Sequence, residues 1–295
     1  MSGMLKKNLR LVVQLAWTAL TNGYVRGWSS GKIFTGKTKL MCVPGLNCYS
    51  CPGALFSCPL GALQATLNSQ EYRFAFYALG LIMAFGTILG RFVCGWLCPF
   101  GLVQDLIYKI PFFKKVQKLP GEKYLRYIRY IILPVLVVLL PIVALGSFGE
   151  GIPWYCKWLC PAGTLQAGIP LVIQNEGLRS LAGGLYAHKV AILLLILFTA
   201  VPLYRPFCRY LCPLGAIYGL FNPISATRFS VDENKCDKCK ACQKVCKFDI
   251  PVYEKPNSTD CIRCTECLKA CPTGALRYAN SMKNAENQPE SCTKQ

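Results

Sequence analysis

Acidic side chains and histidine are scarce in this chain, and their scarcity narrows its possible functions. Among 295 residues there are 14 aspartates and glutamates and a single histidine. No catalytic triad and no paired-carboxylate site is recognisable. The chain also has no C-x-x-C-H haem-attachment motif, no G-x-G-x-x-G fingerprint and no Walker loop. Neither a nucleotide site nor a hydrolytic site is therefore predicted.

Apolar residues and cysteines are abundant instead. Hydrophobic residues make up 53% of the chain, charged residues 16%, and the mean hydropathy of +0.33 is high for a soluble protein. Nineteen cysteines at regular spacings indicate metal ligands and reducing surroundings. A net charge of +19 can indicate nucleic acid, but here the basic residues concentrate between apolar stretches, as membrane topology requires. Nucleic-acid binding is therefore not predicted.

Two cysteine runs near the carboxyl end have the spacing that holds a cubane [4Fe–4S] cluster. One reads CDKCKACQKVC, the other CIRCTECLKACP, and each is C-x₂-C-x₂-C-x₃-C. In such pairs the fourth ligand of each cluster comes from the other run. Zinc is the alternative, but it needs only four of the eight cysteines, and no histidine is nearby. The predicted ligand sets are Cys236, Cys239, Cys242 and Cys271, and Cys261, Cys264, Cys267 and Cys246.

A shorter motif, Cys-Pro-x-Gly, recurs through the apolar part of the chain. It reads CPLGALQ, CPFGLVQ, CPAGTLQ and CPLGAIY, and the second cysteine run repeats it as CPTGALR. Proline disfavours helix at the preceding cysteine and suits the start of the next helix, while glycine lets the backbone pass close to a cofactor. The N–H groups of that new helix would point toward a negatively charged cluster. The copies begin at Cys58, Cys98, Cys160, Cys212 and Cys271, and three of the four in the apolar part have a cysteine four residues earlier, namely Cys94, Cys156 and Cys208.

Four apolar stretches are predicted to cross a membrane: 11–25, 74–89, 130–149 and 190–204. Prolines within the third are predicted to kink it. Of 33 basic residues, three precede the first stretch, seven lie from Lys109 to Arg129 between the second and third, and fourteen follow the fourth. The positive-inside rule therefore predicts a multi-pass protein of the cytoplasmic membrane with both termini in the cytoplasm.

The order of these features indicates a duplication, with repeats of about 1–122 and 123–225. Each half runs span, outer Cys-Pro motif, span, inner Cys-x₃-Cys-Pro motif. Duplicated helical repeats with functional groups at their interface are a known membrane design, so the halves are expected to bring their cysteines together. At the outer face disulfides are the alternative to a cluster, since that side could be oxidising. The inner set is Cys94, Cys98, Cys208 and Cys212; the outer set joins Cys156 and Cys160 to members of Cys42, Cys48, Cys51 and Cys58, with Cys51 and Cys58 favoured and Cys48 next.

Two single residues are weighed separately. His188, just before the fourth span, could bind a quinone head group or a haem, but an interfacial polar role is commoner for such a residue. Cys292 lies alone in the polar stretch 280–295, which is predicted to be disordered, and it is not expected to be a ligand.

The pairing of RFVCGWLCPFG and RPFCRYLCPLG with two carboxy-terminal cluster motifs resembles the membrane-bound ferredoxin-type proteins of the NapH and NosR kind. The likeness covers about residues 42–277. It implies an integral membrane electron-transfer subunit that works with quinol or with partner redox proteins. The large flavin-binding domain of NosR-type members is not expected in a chain of this length. The cysteines at 42–58 and the Cys-x₃-Cys-Pro motif at 156–161 go beyond the family pattern.

The predicted architecture is an all-α integral membrane domain, 1–225, followed by a small α+β ferredoxin-like domain, 226–279. The predicted function is transfer of single electrons between cytoplasmic partners (a ferredoxin, a flavodoxin or a dehydrogenase) and the membrane or an acceptor on its far side. A quinol-oxidising subunit of a partner complex is the first alternative, and a cluster-based redox sensor the second. The chain is expected to be an electron-transfer subunit rather than a complete enzyme. Cluster potentials vary widely with environment, so the sequence does not set the direction of flow.

Overall fold

A computed structural model describes residues 2–67, 72–143 and 152–280 of the chain. Within these ranges the fold is mostly helical, with two short strands near the carboxyl end. The helices before residue 144 are α1 Ser2–Thr21, α2 Val25–Ser30, α3 Pro59–Thr66, α4 Tyr72–Leu89, α5 Phe92–Trp96, α6 Pro99–Tyr108, α7 Glu122–Ile132 and α8 Leu140–Val143. Those that follow are α9 Pro161–Gly163, α10 Ile169–Gln174, α11 Glu176–Ser180, α12 Gly184–Thr199, α13 Pro206–Tyr210, α14 Pro213–Phe221, α15 Ala241–Val245 and α16 Glu266–Ala270. The strands are β1 Thr227–Val231 and β2 Leu276–Asn280.

Each of the four Cys-Pro-x-Gly motifs in the apolar part stands at a helix start, as the sequence predicts. Proline is the first residue of α3, α6, α9 and α14, and the cysteine before it is extended, with φ from −85° to −69° and ψ from 106° to 127°. A first-turn N–H has no partner within its own helix, so proline's missing N–H loses nothing there. The free N–H groups of this first turn donate hydrogen bonds to the cysteine sulfur instead. Gly163 N donates to Cys160 Sγ at 3.4 Å, and Gly215 N donates to Cys212 Sγ at 3.3 Å.

The two halves repeat one order of helices around these motifs. In the first half α3, α4, α5 and α6 follow each other; in the second, α9 with α10, then α12, α13 and α14 take the same places. The inner ends of the halves pack together, since Phe100 of α6 meets Phe207 of α13 edge to face at a ring-centroid distance of 5.1 Å. This contact brings the two inner Cys-x₃-Cys-Pro loops side by side.

One helical stretch among the described residues, Glu122–Val143, is long and apolar enough to cross a membrane. It consists of α7, a wide-turned segment Leu133–Leu139 and α8. Three further apolar helical stretches are shorter than a full span. The four predicted spans therefore stay a prediction, and the end of the third, residues 144–149, lies outside the described ranges. The shorter stretches are Leu9–Thr21, Phe76–Leu89 and Gly184–Thr199.

The wide turns of the segment Leu133–Leu139 lie at Pro134, the first of the two prolines predicted to kink the third span. Within Leu133–Leu139 the backbone bonds reach five residues back, as from Leu140 N to Val135 O. Pro134 lacks an N–H and its ring crowds the carbonyl one turn earlier, so regular four-residue bonding is interrupted there. Pro141 lies in α8, where regular turns resume.

The carboxy-terminal part is a small α+β unit with two similar halves. Strands β1 and β2 pair antiparallel, from Thr227 opposite Asn280 to Val231 opposite Leu276. Between them come α15 and α16, and each ends at an extended cysteine. Because Asn280 closes β2, the stretch predicted to be disordered begins inside a strand. Residues 281–295, with Cys292, lie outside the described ranges.

An ion-pair network fastens this tail domain to the helices. Asp260 of the tail accepts hydrogen bonds from Arg129 and Arg126 of α7, and Arg91 lies 3.6 Å from the same carboxylate. Glu122, at the start of α7, pairs with Arg126 and with Arg209 of α13. Burying so many charges is tolerable only because they are paired with one another. The network therefore fixes the position of the tail domain relative to α7.

A second junction is made by backbone. A Cβ placed on Gly95 would lie 2.3 Å from Ile262 O, so only glycine fits at this point of the Cys94 loop. Nearby, Asn222 Nδ2 donates to Cys261 O at 2.8 Å. The loop that carries Cys94 thus touches the second cysteine run directly.

Candidate metal centres

The tail cysteines form two groups of four. In each group three thiols come from one run and the fourth from the other run, which is the crossed arrangement that the spacing predicts. Among the second group, every pair of thiols lies within electrostatic range. Cys236, Cys239, Cys242 and Cys271 line one pocket, and Cys246, Cys261, Cys264 and Cys267 line the other.

Left-handed residues between the cysteines shape both loops. Lys238 and Lys240 in the first run have φ of 51° and 58°, and Arg263 and Thr265 at the same places in the second have 52° and 66°. Non-glycine residues rarely adopt these angles, so two in succession mark a tightly coiled loop. Such a loop gathers three thiols around one pocket.

The two tail groups differ in depth. Cys239 in the first is exposed, although Cys242 there is buried, whereas no cysteine of the second group is exposed and Cys261 and Cys267 are buried. Tyr204, which joins α12 to α13, lines the pocket of the second group. The first group therefore lies at the surface, and the second lies between it and the helices.

The inner set forms a third group. Its four cysteines are all buried, and every pair of thiols among them lies within electrostatic range. Two come from each half of the chain, as the duplication predicts. They are Cys94, Cys98, Cys208 and Cys212.

Two buried arginines cross between the halves at this inner set. Arg91 donates to Cys208 O at 3.0 Å, and Arg205 donates to Cys94 O. Both guanidinium groups are fully buried, and Asp105 accepts from Arg205. Each arginine stands three residues before the first cysteine of its own motif and binds the corresponding cysteine of the other. Positive charge at this place favours a group of thiolates.

Four cysteines of the outer set share one cavity. Cys48, Cys58, Cys156 and Cys160 line one cavity of about 390 Å³. Every pair among these four thiols lies within electrostatic range. An added Cβ on Gly163 would be 3.6 Å from Cys48 Sγ, so the Cys-Pro-x-Gly backbone passes close to the thiols, as the motif predicts.

Cys51 and Cys42 lie outside that cavity. The Cys51 thiol donates to Asn22 Oδ1 at 3.7 Å, although the sequence favours Cys51 over Cys48 as a ligand. Burial, with a smaller contribution from Cys58, raises the pKa of the Cys42 thiol to about 12. Burial raises the pKa of Cys160 inside the cavity to the same value, so location rather than acidity separates Cys42 from the four cavity thiols.

Two buried tyrosines lie between the inner and outer groups. Tyr218 is within electrostatic range of Cys94 on the inner side and Cys58 on the outer side. Tyr155 likewise lies near Cys212 and near the outer thiols. Both side chains are fully buried. The four groups therefore follow one another from the tail surface to the outer cavity.

Several residues at these groups were not singled out by sequence reasoning. Arg91, Arg205, Tyr155 and Tyr218 flank the cysteines but belong to no known ligand motif. The usable signal was the repeat itself, because an arginine stands three residues before both Cys94 and Cys208. Comparing the copies position by position would have found this pair.

The chemistry of the groups fits clusters rather than single ions. Within the described residues no three Cys, His, Asp or Glu side chains are close enough to share one metal ion. Each of the four groups described above contains four thiols, and thiolates are the ligands of iron–sulfur clusters. Cys-rich pockets approached by backbone N–H groups, with buried arginines beside one of them, suit a compact anionic [4Fe–4S] cluster.

His188 belongs to none of the four groups. Its ring meets Trp158 at a tilted angle with centroids 6.2 Å apart. The neighbouring Lys189 lines the outer cavity instead. The interfacial polar role expected for His188 stays a prediction.

Comparison with known proteins agrees with this chemistry. A 4Fe-4S binding domain profile, Fer4_5, matches residues 74–120, 130–174 and 190–231, and a second 4Fe-4S binding domain, Fer4, matches 255–277. Uncharacterized protein MJ0750 of Methanocaldococcus jannaschii is 32% identical over 70% of this chain and 79% of its own length. Ferredoxin-type protein NapH of Haemophilus influenzae is 28% identical over 68% of this chain and 66% of its own. No solved structure matches significantly.

Fold, thiol groups and matched domains together define an iron–sulfur electron-transfer protein that uses [4Fe–4S] clusters. More narrowly, the chain belongs to the family of membrane-bound ferredoxin-type proteins that includes NapH. Its resemblance to that family, first visible in two Cys-x₃-Cys-Pro loops, is thereby confirmed.

Proposed function

We propose that the chain moves single electrons through four [4Fe–4S] sites, between a partner at the tail surface and the outer cavity. The observation that carries the proposal is the succession of four thiol groups, each next to the following one. The clusters supply reversible one-electron chemistry when bound. The chain's own part is to hold thiols, exclude water and keep the sites close together.

The contacts between groups favour such a succession. Gly95 allows the backbone next to Cys94 to touch Ile262, beside Cys261, with no side chain between them. Tyr218 and Tyr155 then fill the space between the inner and outer groups.

We propose ligand sets that follow the four groups, with Cys48 in place of Cys51. The tail pair uses the eight cysteines of the two runs. The outer set would then be Cys48, Cys58, Cys156 and Cys160, supported by their shared cavity. The inner set would be Cys94, Cys98, Cys208 and Cys212, supported by full burial and two crossing arginines.

The finer architecture of the chain is also a proposal. A membrane domain over 1–225 and a tail domain over 226–279 agree with the strand pairing at 227–231 and 276–280. Apolar side chains face outward on the helices, among them Phe76 on α4 and Leu195 on α12, at 71% and 64% exposure. Such faces suit lipid. We propose four spans, some tilted or short, with both termini in the cytoplasm.

The first tail group is the proposed point of contact with a soluble partner. Around exposed Cys239 stand the exposed side chains of Lys235, Lys238, Lys240 and Lys244, with Asp237 the one acid in that run. Opposite charge steers a partner to its docking face. An acidic electron carrier of the ferredoxin or flavodoxin kind therefore fits this surface.

Charge reversal tests the docking face. In Lys238→Glu/Lys240→Glu, electron exchange with an acidic flavodoxin should slow roughly tenfold at low salt and depend less on salt. The matched control is Lys114→Glu/Lys123→Glu, which reverses two exposed lysines outside the tail domain. Equal slowing in both variants would mean that net charge, not this face, attracts the carrier.

Iron and sulfide counting tests the number of sites. Anaerobically purified protein should contain about sixteen irons per chain if all four groups hold clusters. About twelve would remove the outer site, and about eight would confine function to the tail and overturn the proposed succession.

Quinol oxidation is the second candidate function, and one cavity favours it. A space of about 790 Å³ beside α7 is lined by Tyr127, Tyr130 and Leu220, with Arg129 at its polar side. Ligand pockets of this size and mixed lining are common. Quinol-dependent reduction of the clusters in membranes, abolished in Leu220→Trp but not in Leu178→Trp, would favour this function. Leu178 is an exposed side chain of α11.

A further inference from the structure

Two glutamines occupy the same place in two copies of the Cys-Pro motif. Gln64 follows Cys58 by six residues, and Gln104 follows Cys98 by six. Both side chains are fully buried. A buried amide needs partners for both its oxygen and its nitrogen, so the contacts of these two residues define their role.

Each glutamine reaches across to the other half of the chain. Gln104 Nε2 donates to Cys208 Sγ at 3.3 Å, and its Oε1 accepts from Phe207 N at 3.2 Å. Gln64 Nε2 donates to Cys156 Sγ at 3.6 Å, and its Oε1 accepts from Tyr155 N at 3.0 Å. The two amides therefore make the same pair of bonds, to a thiol and to the N–H one residue before it.

The orientation of these amides is fixed by their surroundings. Because Oε1 accepts a backbone N–H, the NH₂ group must be the one that faces sulfur. Each NH₂ also donates to the carbonyl four residues earlier in its own helix, at 3.4 Å from Leu60 O or Phe100 O. A flipped amide would bring two donors together and leave the sulfur without one.

We propose that Gln104 and Gln64 are positioning residues that set the reduction potentials of the inner and outer sites, respectively. This inference rests on the proposed function, since it assumes clusters at both groups. Hydrogen bonds to cluster sulfurs favour the more negative, reduced state and so raise the potential. Each half of the chain thereby tunes the site to which the other half contributes a ligand.

The other two copies of the motif supply a built-in contrast. Gln166, at the same place after Cys160, accepts from Cys48 N at 2.9 Å through Oε1. At the fourth copy Tyr218 donates to Pro44 O at 2.9 Å. The sixth residue after the cysteine therefore contacts the other half of the chain in all four copies of the apolar part. The described contacts show a hydrogen bond to a ligand sulfur in only two of them.

The test is a redox titration followed by electron paramagnetic resonance on anaerobically purified protein, with iron counted in each sample. Gln104→Met removes the donor at similar volume, and Gln104→Glu also keeps an acceptor for Phe207 N. We expect wild-type iron and a lower potential for one cluster signal in both variants. Gln64→Met should lower the potential of a different signal.

Gln166→Leu is the matched control for the inner site, since it removes a half-buried amide at the same motif position without removing a donor to sulfur. Its inner-site potential should equal that of the wild type. Wild-type potentials in both Gln104 variants with full iron would overturn the inference, as would loss of iron in both, because the amide would then be a packing group. About eight irons in the wild type would instead overturn the proposed function itself.

Discussion

Asp260 joins the tail domain to three arginines at its junction with the helices. Burial raises the pKa of Asp260, but Arg129, Arg91 and Arg126 outweigh that effect and hold the pKa below its ordinary value. A carboxyl group with a lowered folded-state pKa stabilises the contact fully above its unfolded value of about 3.9. That stabilisation is lost as the pH falls through the lower, folded-state pKa.

Asp260→Asn should loosen the tail domain at neutral pH. The variant keeps the shape of the side chain but leaves buried arginines without their anion, at a cost of roughly 2–4 kcal/mol. Limited proteolysis should release the tail faster in the variant than in the wild type at every pH from 7 down to about 4, the unfolded value of the carboxyl pKa. The two rates should converge only as the pH falls below that value and through the lower, folded-state pKa. Equal rates in the variant and the wild type at pH 7 would contradict a role for the carboxylate charge.

Cys48 and Cys51 are separated by two residues but have different surroundings. Cys48→Ser should reduce the iron content by about four per chain, because it removes a thiol from the outer cavity. Cys51→Ser should leave the iron content at the wild-type value, since its thiol faces Asn22. Counting iron and sulfide in both variants checks the pair. The reverse result would restore Cys51 as the ligand.

At the scale of elements, the Cys94 loop and the second tail run approach at Gly95. Gly95→Ala should push the Ile262 backbone away, because a Cβ there would lie 2.3 Å from the Ile262 carbonyl oxygen. We expect the tail clusters to form normally and to be reduced by a soluble donor. Transfer onward to the inner site should be slowed by roughly tenfold or more, as judged by rapid-freeze electron paramagnetic resonance.

Gly80→Ala is the control for Gly95→Ala. It lies on α4, and an added Cβ there meets nothing within 4 Å. Onward transfer in Gly80→Ala should match the wild type. If Gly95→Ala transfers electrons as fast as Gly80→Ala, the close approach has no part in the route.

Local chemistry explains which elements were predictable. Proline sets its own φ and restricts the residue before it, so Cys-Pro marked four helix starts without any knowledge of the fold. Thiol spacing in the tail likewise depends on a short loop, and the crossed pairing followed from it. The position of Cys48, rather than Cys51, in the outer cavity could not be predicted in this way. It depends on Gln166, 118 residues away in the chain, which accepts a hydrogen bond from the Cys48 N–H. Contacts between halves carry no local signal.

At the scale of the whole molecule, the duplication explains the arrangement of the sites. Each half alone has two cysteines at its inner motif and too few partners for a cluster. Arg91 and Arg205 bind across the halves, and Gln64 and Gln104 reach across in the same manner. A cluster on the proposed inner ligands would stabilise the interface between the two halves. The same interface would then serve both electron transfer and assembly of the helical part.

Sidedness is the property of the whole molecule that the proposed function most requires. The hydrocarbon core is about 30 Å thick, so one surface cluster could not carry electrons across it, whereas sites at both faces could. An impermeant lysine reagent should label Lys32 and Lys37 in right-side-out vesicles and Lys238 and Lys240 in inverted ones, since all four side chains are exposed. Mass spectrometry of the labelled peptides reads the outcome. Labelling of both pairs from one side would place the tail and the outer cavity on the same face, and electrons could not then cross the membrane through this chain.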